Sequence, residues 1–398
     1  MNETIREAES DERVHWRSIS AAIGSISVVG IAIGLGIPLL SVILESRGYS
    51  SSMIGLNTAV AGIASIAAAP VATPIAMRFG VVWTMLAMIF AGALAFVGFY
   101  FVDAFWMWFP LRAILHFALT VLFILSEFWI SACAPPHRRG LVLGIYATVL
   151  SLGFAAGPWI FSQIGSDGFL PFGLAFGLVT LASIPVLLAR AESPRIVAEG
   201  GSGGFFRYIW IVPTATAAVL VFGAVETGGF ALFPVYGQRI GYSEGDAAML
   251  LTMIGLGNVI LQIPIGMISD RVRDRRTLLL ICAATGLAGT LAMPWIAGNW
   301  HVMAGMLFVW GGVVAALYTV GLAHLGAQLS GRDLASANAA FIFCYGLGMI
   351  LGPQAIGIFM DVFGPNGFGW ALAVFFAGYM ALGLGRIAVK SRLSRSEA

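Results

Sequence analysis

Twelve stretches of apolar residues, each near or above the roughly 20 residues that a helix needs to cross hydrocarbon, dominate this chain. They lie at about 18–44, 51–76, 81–103, 106–132, 140–163, 168–189, 208–234, 246–269, 277–296, 301–325, 336–360 and 367–388. Backbone amides in lipid have no water to bond, so each stretch is expected to close its hydrogen bonds internally as a helix. The sequence is 59% hydrophobic and only 10% charged, against about 25% charged in a soluble domain. Its 21 basic and 19 acidic residues cannot cover a water-facing surface, so lipid must solvate much of the exterior. The expected class is an all-α membrane protein with twelve transmembrane helices. The shortest turns, "QIGSDG" at 163–168 and "IAGNWH" at 296–301, are where a ten- or eleven-span reading would merge neighbours.

The basic residues orient the spans. With the N-terminus inside, Arg6, Arg13, Arg17, Arg78, Arg138, Arg139, Arg190, Arg195 and Arg207 fall on the cytoplasmic side. So do Arg271, Arg273, Arg275, Arg276, Arg332, Arg386, Lys390, Arg392 and Arg395, whereas only Arg47 and Arg239 fall outside. That bias requires an even number of spans and places both termini in the cytoplasm. Residues 1–17 read as a polar N-terminal tail and 389–398 as a C-terminal tail. The charged, glycine-rich segment 190–207, "RAESPRIVAEGGSGGFFR", reads as a cytoplasmic linker between two six-helix bundles, 18–189 and 208–388. Equal halves with short loops suggest a duplication and a pair of bundles able to rock.

Charge inside a span is costly and should face a cavity or a partner. Arg112 lies in the outer third of the fourth span, with His116 one turn further in on the same face. They are either structural ties or part of a cavity wall, where Arg112 would meet an anionic group and His116 would titrate. Glu127, towards the inner end of that span, either pairs with Arg138 or Arg139 or carries protons or solute. Glu226 sits inside the seventh span in "VFGAVETGGFALFP" as a candidate proton or substrate site. Gly228 and Gly229 just beyond it permit a local break that would expose carbonyls. Asn258 and Gln262, four apart on one face, and Asn338 and Gln354 in the eleventh span either line a polar pathway or bond between helices. Trp106, Trp108, Trp159, Trp295 and Trp300 are expected as interfacial anchors. Trp129, Tyr146, Tyr236 and Tyr345 either contact a ligand or pack. Cys133, Cys282 and Cys344 are far apart and read as small buried residues. No cofactor motif, metal-ligand set, catalytic constellation or phosphate-binding "GxxxxGK[ST]" loop occurs, and no basic aromatic face suits a nucleic acid.

"GMISDRVRDRRTLLL", residues 266–280, concentrates charge between the eighth and ninth spans. Its arginines anchor topology at the lipid headgroups. Asp270, at a helix end, is placed to bond neighbouring helix termini or basic groups and so to hold one conformation. Gly266, Asp270, Arg271, Arg275 and Arg276 resemble the cytoplasmic signature of the major facilitator superfamily of secondary transporters, with Arg273 where a second glycine is usual. In the first half, "TPIAMRFGVV" matches at Arg78 and Gly80, while Met77 replaces the acidic residue. Arg112 in "FPLRAILHF" matches an arginine common in the fourth span of that superfamily. "GIYATVLSLGFAAGP", ending at Gly157 and Pro158, resembles the fifth-span segment of its antiporters, and "GLGMILGP" ends similarly at Gly352 and Pro353.

The resemblance implies two six-helix bundles around a central cavity and movement of a small solute by alternating access, in an inner or plasma membrane. It implies Arg78, Gly80 and the 266–276 residues as a conformational gate and the glycine–proline pairs as points of flexibility. Coupling to protons through Glu226, Glu127 or His116, export rather than uptake, contact with membrane lipids and action as a monomer are expected. Sodium coupling, metabolite uptake, and a receptor or interaction role without flux are the alternatives.

Overall fold

The computed structural model describes residues 16–134, 139–194, 204–272 and 274–396. Residues 1–15 of the predicted N-terminal tail, Arg138, Arg195 and Arg273 lie outside the described residues, while Trp16 and Arg17 of that tail already belong to the first helix. So do the side chains of Arg139, Arg332, Lys390, Arg392 and Arg395. Among the described residues there are twelve long helical segments. They are α1 (Trp16–Ser46), α2 (Ser51–Phe79), α3 (Val81–Phe101), α4 (Trp108–Cys133), α5 (Arg139–Ile164) and α6 (Leu170–Leu181, continued by Ser183–Leu188). After the linker come α7 (Pro213–Arg239), α8 (Glu244–Arg271), α9 (Arg275–Ile296), α10 (Trp300–Gly326), α11 (Gly331–Phe363) and α12 (Gly367–Ser396). Among the described residues eleven stretches are long and apolar enough to cross a membrane, and the last, Asp333–Arg386, is 54 residues long and takes in most of α11 and α12.

The helix ends follow local chemistry. Ser243 Oγ accepts the Asp246 amide at 3.1 Å to start α8. Asp274 accepts the Arg276 amide at 3.0 Å to start α9. Asn299 Oδ1 takes the amides of His301 and Val302 at 3.1 and 3.2 Å to start α10. Each cap satisfies amides that the first turn leaves free. Between α2 and α3 the chain turns at Gly80 with φ of 85°, a left-handed conformation that a side chain resists.

Three boundaries differ from expectation. The sixth span is interrupted at Ala182, whose amide bonds Val179 O at 3.2 Å in a tight turn. A short helix, Phe206–Ile211, precedes the seventh span; α7 starts at Pro213, whose missing amide proton suits a first helical position. The last helix continues to Ser396, so most of the expected tail extends it. Large apolar side chains such as Trp83, Leu94, Trp210 and Trp295 are exposed, as surfaces bathed by hydrocarbon require. Trp108, expected as an interfacial anchor, is fully buried. Its ring packs edge-on against Phe99 with centroids 5.0 Å apart, and its Nε1 donates to Val102 O at 2.8 Å.

The chain forms two compact units. The first comprises Met1–Gly36, Ala64–Gly157 and Asp167–Glu199. Within it α1 and α5 touch backbone to backbone. A Cβ on Gly153 would lie 2.9 Å from Gly30 Cα, and one on Gly157 would lie 2.4 Å from the Gly34 carbonyl carbon. Such glycine pairs four apart let helices approach closely in lipid. At the start of the linker, the Glu192 carboxylate accepts the Ser18 amide and hydroxyl at 3.2 and 2.8 Å, satisfying a free amide at the start of α1.

The second unit comprises Ile37–Ile63, Pro158–Ser166 and Gly200–Ala398. Here α7 and α11 repeat the packing device of α1 and α5, six helices later. A Cβ on Gly348 or Gly352 would lie 2.1 Å from the carbonyl oxygen of Leu220 or Ala224. The unit also takes in the last part of α1, the first part of α2 and the end of α5. These groups follow contact, not chain order.

Candidate functional site

Glu226 and Tyr345 meet where α7 and α11 pack. The close approach comes from Gly223, whose added Cβ would lie 2.5 Å from the Tyr345 carbonyl oxygen. The Tyr345 hydroxyl donates to Glu226 Oε2 at 2.5 Å. Among the described residues no basic group lies within ion-pair distance of this carboxyl. Phe222, one turn before Glu226, stacks on Tyr345 with centroids 6.2 Å apart. Tyr318 on α10 closes the group, 5.7 Å from Phe222 and 6.1 Å from Tyr345. These four side chains are half-buried although each lies well inside a long helix. Tyr318 also packs edge-on against buried Phe341 at 5.3 Å.

The local break predicted after Glu226 does not occur, because α7 is helical throughout Pro213–Arg239. Gly228 instead admits α11, since a Cβ there would meet Ile356 Cδ1 at 2.5 Å and the Gly352–Pro353 backbone at 3.1 Å; Gly229 has open space beside it. Pro158 and Pro353 lie inside α5 and α11. Gly157 and Gly352 hold close helix contacts as described above.

The other residues singled out from the sequence are dispersed. Arg112 and His116 are buried on α4, in the first unit. Glu127 is exposed further along that helix, and its expected pairing with Arg138 or Arg139 lies outside the described side chains. Beside it Ser126 and Tyr146 share a hydroxyl hydrogen bond at 2.8 Å. Trp129 is buried, and Tyr236 stacks on Phe368 at 5.0 Å, so both pack. Asn258 Oδ1 and Gln354 Oε1 are buried without a hydrogen-bond partner among the described residues, while Gln262 and Asn338 are half-buried. An open depression lined by residues that include Gln163, Tyr242, Asp246 and His301 contains none of these side chains.

In the 266–276 stretch, Arg275 reaches back to the end of α8. Its Nη2 lies 3.5 Å from Asp270 Oδ1 and its Nε donates to Ser269 Oγ at 3.2 Å. Asp270 therefore bonds a basic group of its own connection. Arg271 is exposed and Arg276 half-buried, and Gly266 has open space beside it. Arg78, also exposed, sits over the Phe79 ring at 5.3 Å.

A seam inside the second unit escaped the sequence reading. Arg239, at the end of α7, forms two hydrogen bonds with Glu45 of α1 at 2.9 and 3.1 Å. Asp361, near the end of α11, accepts the amides of Ser51 and Ser52 at the start of α2, both at 2.9 Å. Ser166, just beyond α5, donates to Glu244 of α8 at 2.9 Å. Below Asp361 the backbones of α2 and α11 touch, for a Cβ on Gly55 would lie 2.2 Å from Pro353 O. The only sequence signal was charge at helix ends, among it Arg239 as one of two basic residues on the sparse side.

A family model described as Major Facilitator Superfamily matches residues 22–256 and 217–396. The chain belongs to this superfamily. Within the superfamily, an uncharacterised transporter of Bacillus subtilis (strain 168), YfkF, is 28% identical over 91% of this chain and 93% of its own length. A second uncharacterised superfamily transporter, from Enterobacter sp. (strain 638), is 25% identical over 68% of this chain and 70% of its own. Among solved structures, the nucleoside transporter NupG superposes with a TM-score of 0.76 at 13% identity, covering 94% of this chain and 98% of that one. A bacterial homologue of the human lysosomal transporter Spinster, in an inward-facing and occupied conformation, gives 0.71 at 16% identity, covering 96% and 98%. Like these, the chain has the twelve-helix, two-domain superfamily fold. It is a multi-pass membrane protein of the inner or plasma membrane and a secondary transporter of a small solute by alternating access, not an enzyme.

Proposed function

We propose that this superfamily member couples solute movement to protons at Glu226 and works as an exporter. The observation that carries the coupling is the Glu226–Tyr345 hydrogen bond at 2.5 Å, in the middle of α7 and outside any ion pair among the described residues. A carboxyl there gains or loses a proton without breaking an ion pair, and each state presents a different charge to the solute pathway. His116 is buried beside Arg112 in the first unit, and Glu127 is exposed further along α4, so both are secondary candidates. Export rests on the likeness of 144–158 to the antiporter segment. The 266–276 stretch and Arg78–Gly80 are proposed as the cytoplasmic gate, with both termini on that side and the monomer as the working unit.

The test is made in proteoliposomes. A solute that supports counterflow is first found among sugars, organic acids, peptides and lipophilic cations. An imposed pH gradient is then applied with and without Glu226→Gln. Accumulation driven by the gradient in the native protein, lost in the variant while counterflow persists, supports the proposal. Undiminished proton-driven flux in the variant removes Glu226 as the carrier. Higher cellular retention of the solute on expression would reverse the direction.

A further inference from the structure

We propose that Asp361 is a positioning residue for alternating access: from the end of α11 it caps the start of α2, and that contact biases the transporter towards this conformation. All the residues involved belong to the second unit. The start of α2 can be accounted for amide by amide. Ser50 closes two of them, its Oγ accepting the Met53 amide at 3.3 Å and its carbonyl the Ile54 amide at 3.0 Å. The Ser51 and Ser52 amides go instead to Asp361 Oδ1 and Oδ2, both at 2.9 Å, across 310 and 309 positions of sequence. One turn back along α11 the backbones touch, since a Cβ on Gly357 would lie 2.3 Å from Ser51 O.

This tie differs in kind from the other two in the seam. α8 is capped by its own Ser243, so the Ser166–Glu244 hydrogen bond can part without leaving that cap. Glu45 and Arg239 are partly exposed, and ion pairs of that sort contribute little. Of the three ties, Asp361 alone sets a negative charge on the positive end of another helix and takes up its free amides. Parting α2 from α11 returns the carboxylate and both amides to water, while Ser50 still holds the Met53 and Ile54 amides. α2 therefore leaves as an intact helix, and one side chain sets the bias without any refolding.

The experiment uses the full chain in lipid nanodiscs, with its three cysteines replaced by alanine and spin labels at Ser46→Cys and Val362→Cys. Both positions are exposed, one at the end of α1 and one at the end of α11. Pulsed electron resonance reads the separation of the labels, and the short separation should dominate in the otherwise native chain. Asp361→Asn removes the charge and one of two acceptors, and should raise the ratio of long to short separations about threefold. Ser51→Pro removes a donor from the other side, at the first helical position, which proline suits, and should shift the ratio in the same direction. Because both cut one contact, the double variant should shift it by less than the product of the two single changes. Dominance of the long separation in the native chain would overturn the proposal. So would an unchanged ratio in a folded Asp361→Asn protein, or single effects that multiply in the double variant. The native measurement needs no variant to fold.

Discussion

Among the described residues Glu226 is held by one donor, the Tyr345 hydroxyl at 2.5 Å. Replacing Tyr345 by Phe leaves the ring contacts but strands the half-buried carboxyl, at a cost of up to about 1–3 kcal/mol, the figure for a fully buried polar group that loses its partner. Glu226→Gln keeps an acceptor oxygen for the same hydroxyl and should cost less than Tyr345→Phe. Thermal unfolding of the two variants in detergent checks the order, and equal or reversed losses would contradict it. An acidic residue in a long apolar run makes Glu226 conspicuous from the chain alone. Its partner is not, because Tyr345 lies 119 positions away on a helix rich in aromatic and small residues. Phe222 and Tyr318 carry no local sign at all; only the packing of three helices brings them to the acid. Trp108 shows the converse, a tryptophan at a helix end that resembled an anchor and is instead enclosed and bonded to Val102.

At the level of elements, the helices were readable because hydrocarbon permits so few backbone solutions, and the predicted spans overlap α1 to α12. What escaped were details set by neighbours, such as the interruption of α6 at Ala182 and the unbroken course of α7 through Thr227–Gly229. The glycines of α5 were visible, but their purpose becomes clear only against α1. Gly157→Leu would force a side chain into the Gly34 backbone, where even a Cβ would be 2.4 Å from the nearest atom. Overpacking of this kind costs about 1–3 kcal/mol or more, and a lower yield of monodisperse protein with a lower melting temperature is expected. Gly144, with nothing within 4 Å of its Cβ position, is the control on the same helix. Gly144→Ala should be neutral or stabilising by about 1 kcal/mol. If both substitutions behave alike, the α1–α5 contact is not what the glycines maintain.

Across the molecule, the seam through Glu45–Arg239, Asp361–Ser51 and Ser166–Glu244 ties ends of α1, α2 and α5 to helices of the second half of the chain. Alternating access requires such ties to part once in each cycle. With the three native cysteines replaced by alanine, Glu45→Cys and Arg239→Cys together should be bridged by a short bis-maleimide. Counterflow should then stop, whereas either single cysteine treated the same way should remain active. Continued turnover of the bridged protein would show that this face does not need to open. The order of the spans did not reveal these partners, because Asp361 and Ser51 are 310 residues apart. The Glu45 and Arg239 side chains retain 20% and 28% of their exposure, so dissolved ions reach them. At about 0.15 M salt, attraction between exposed charges fades beyond roughly 8 Å, and it fades sooner in brine. The clasp, closed at 2.9 Å, is thus a short-range latch: once its ends stand further apart than the screening length they no longer draw each other back, and the helices themselves must return them.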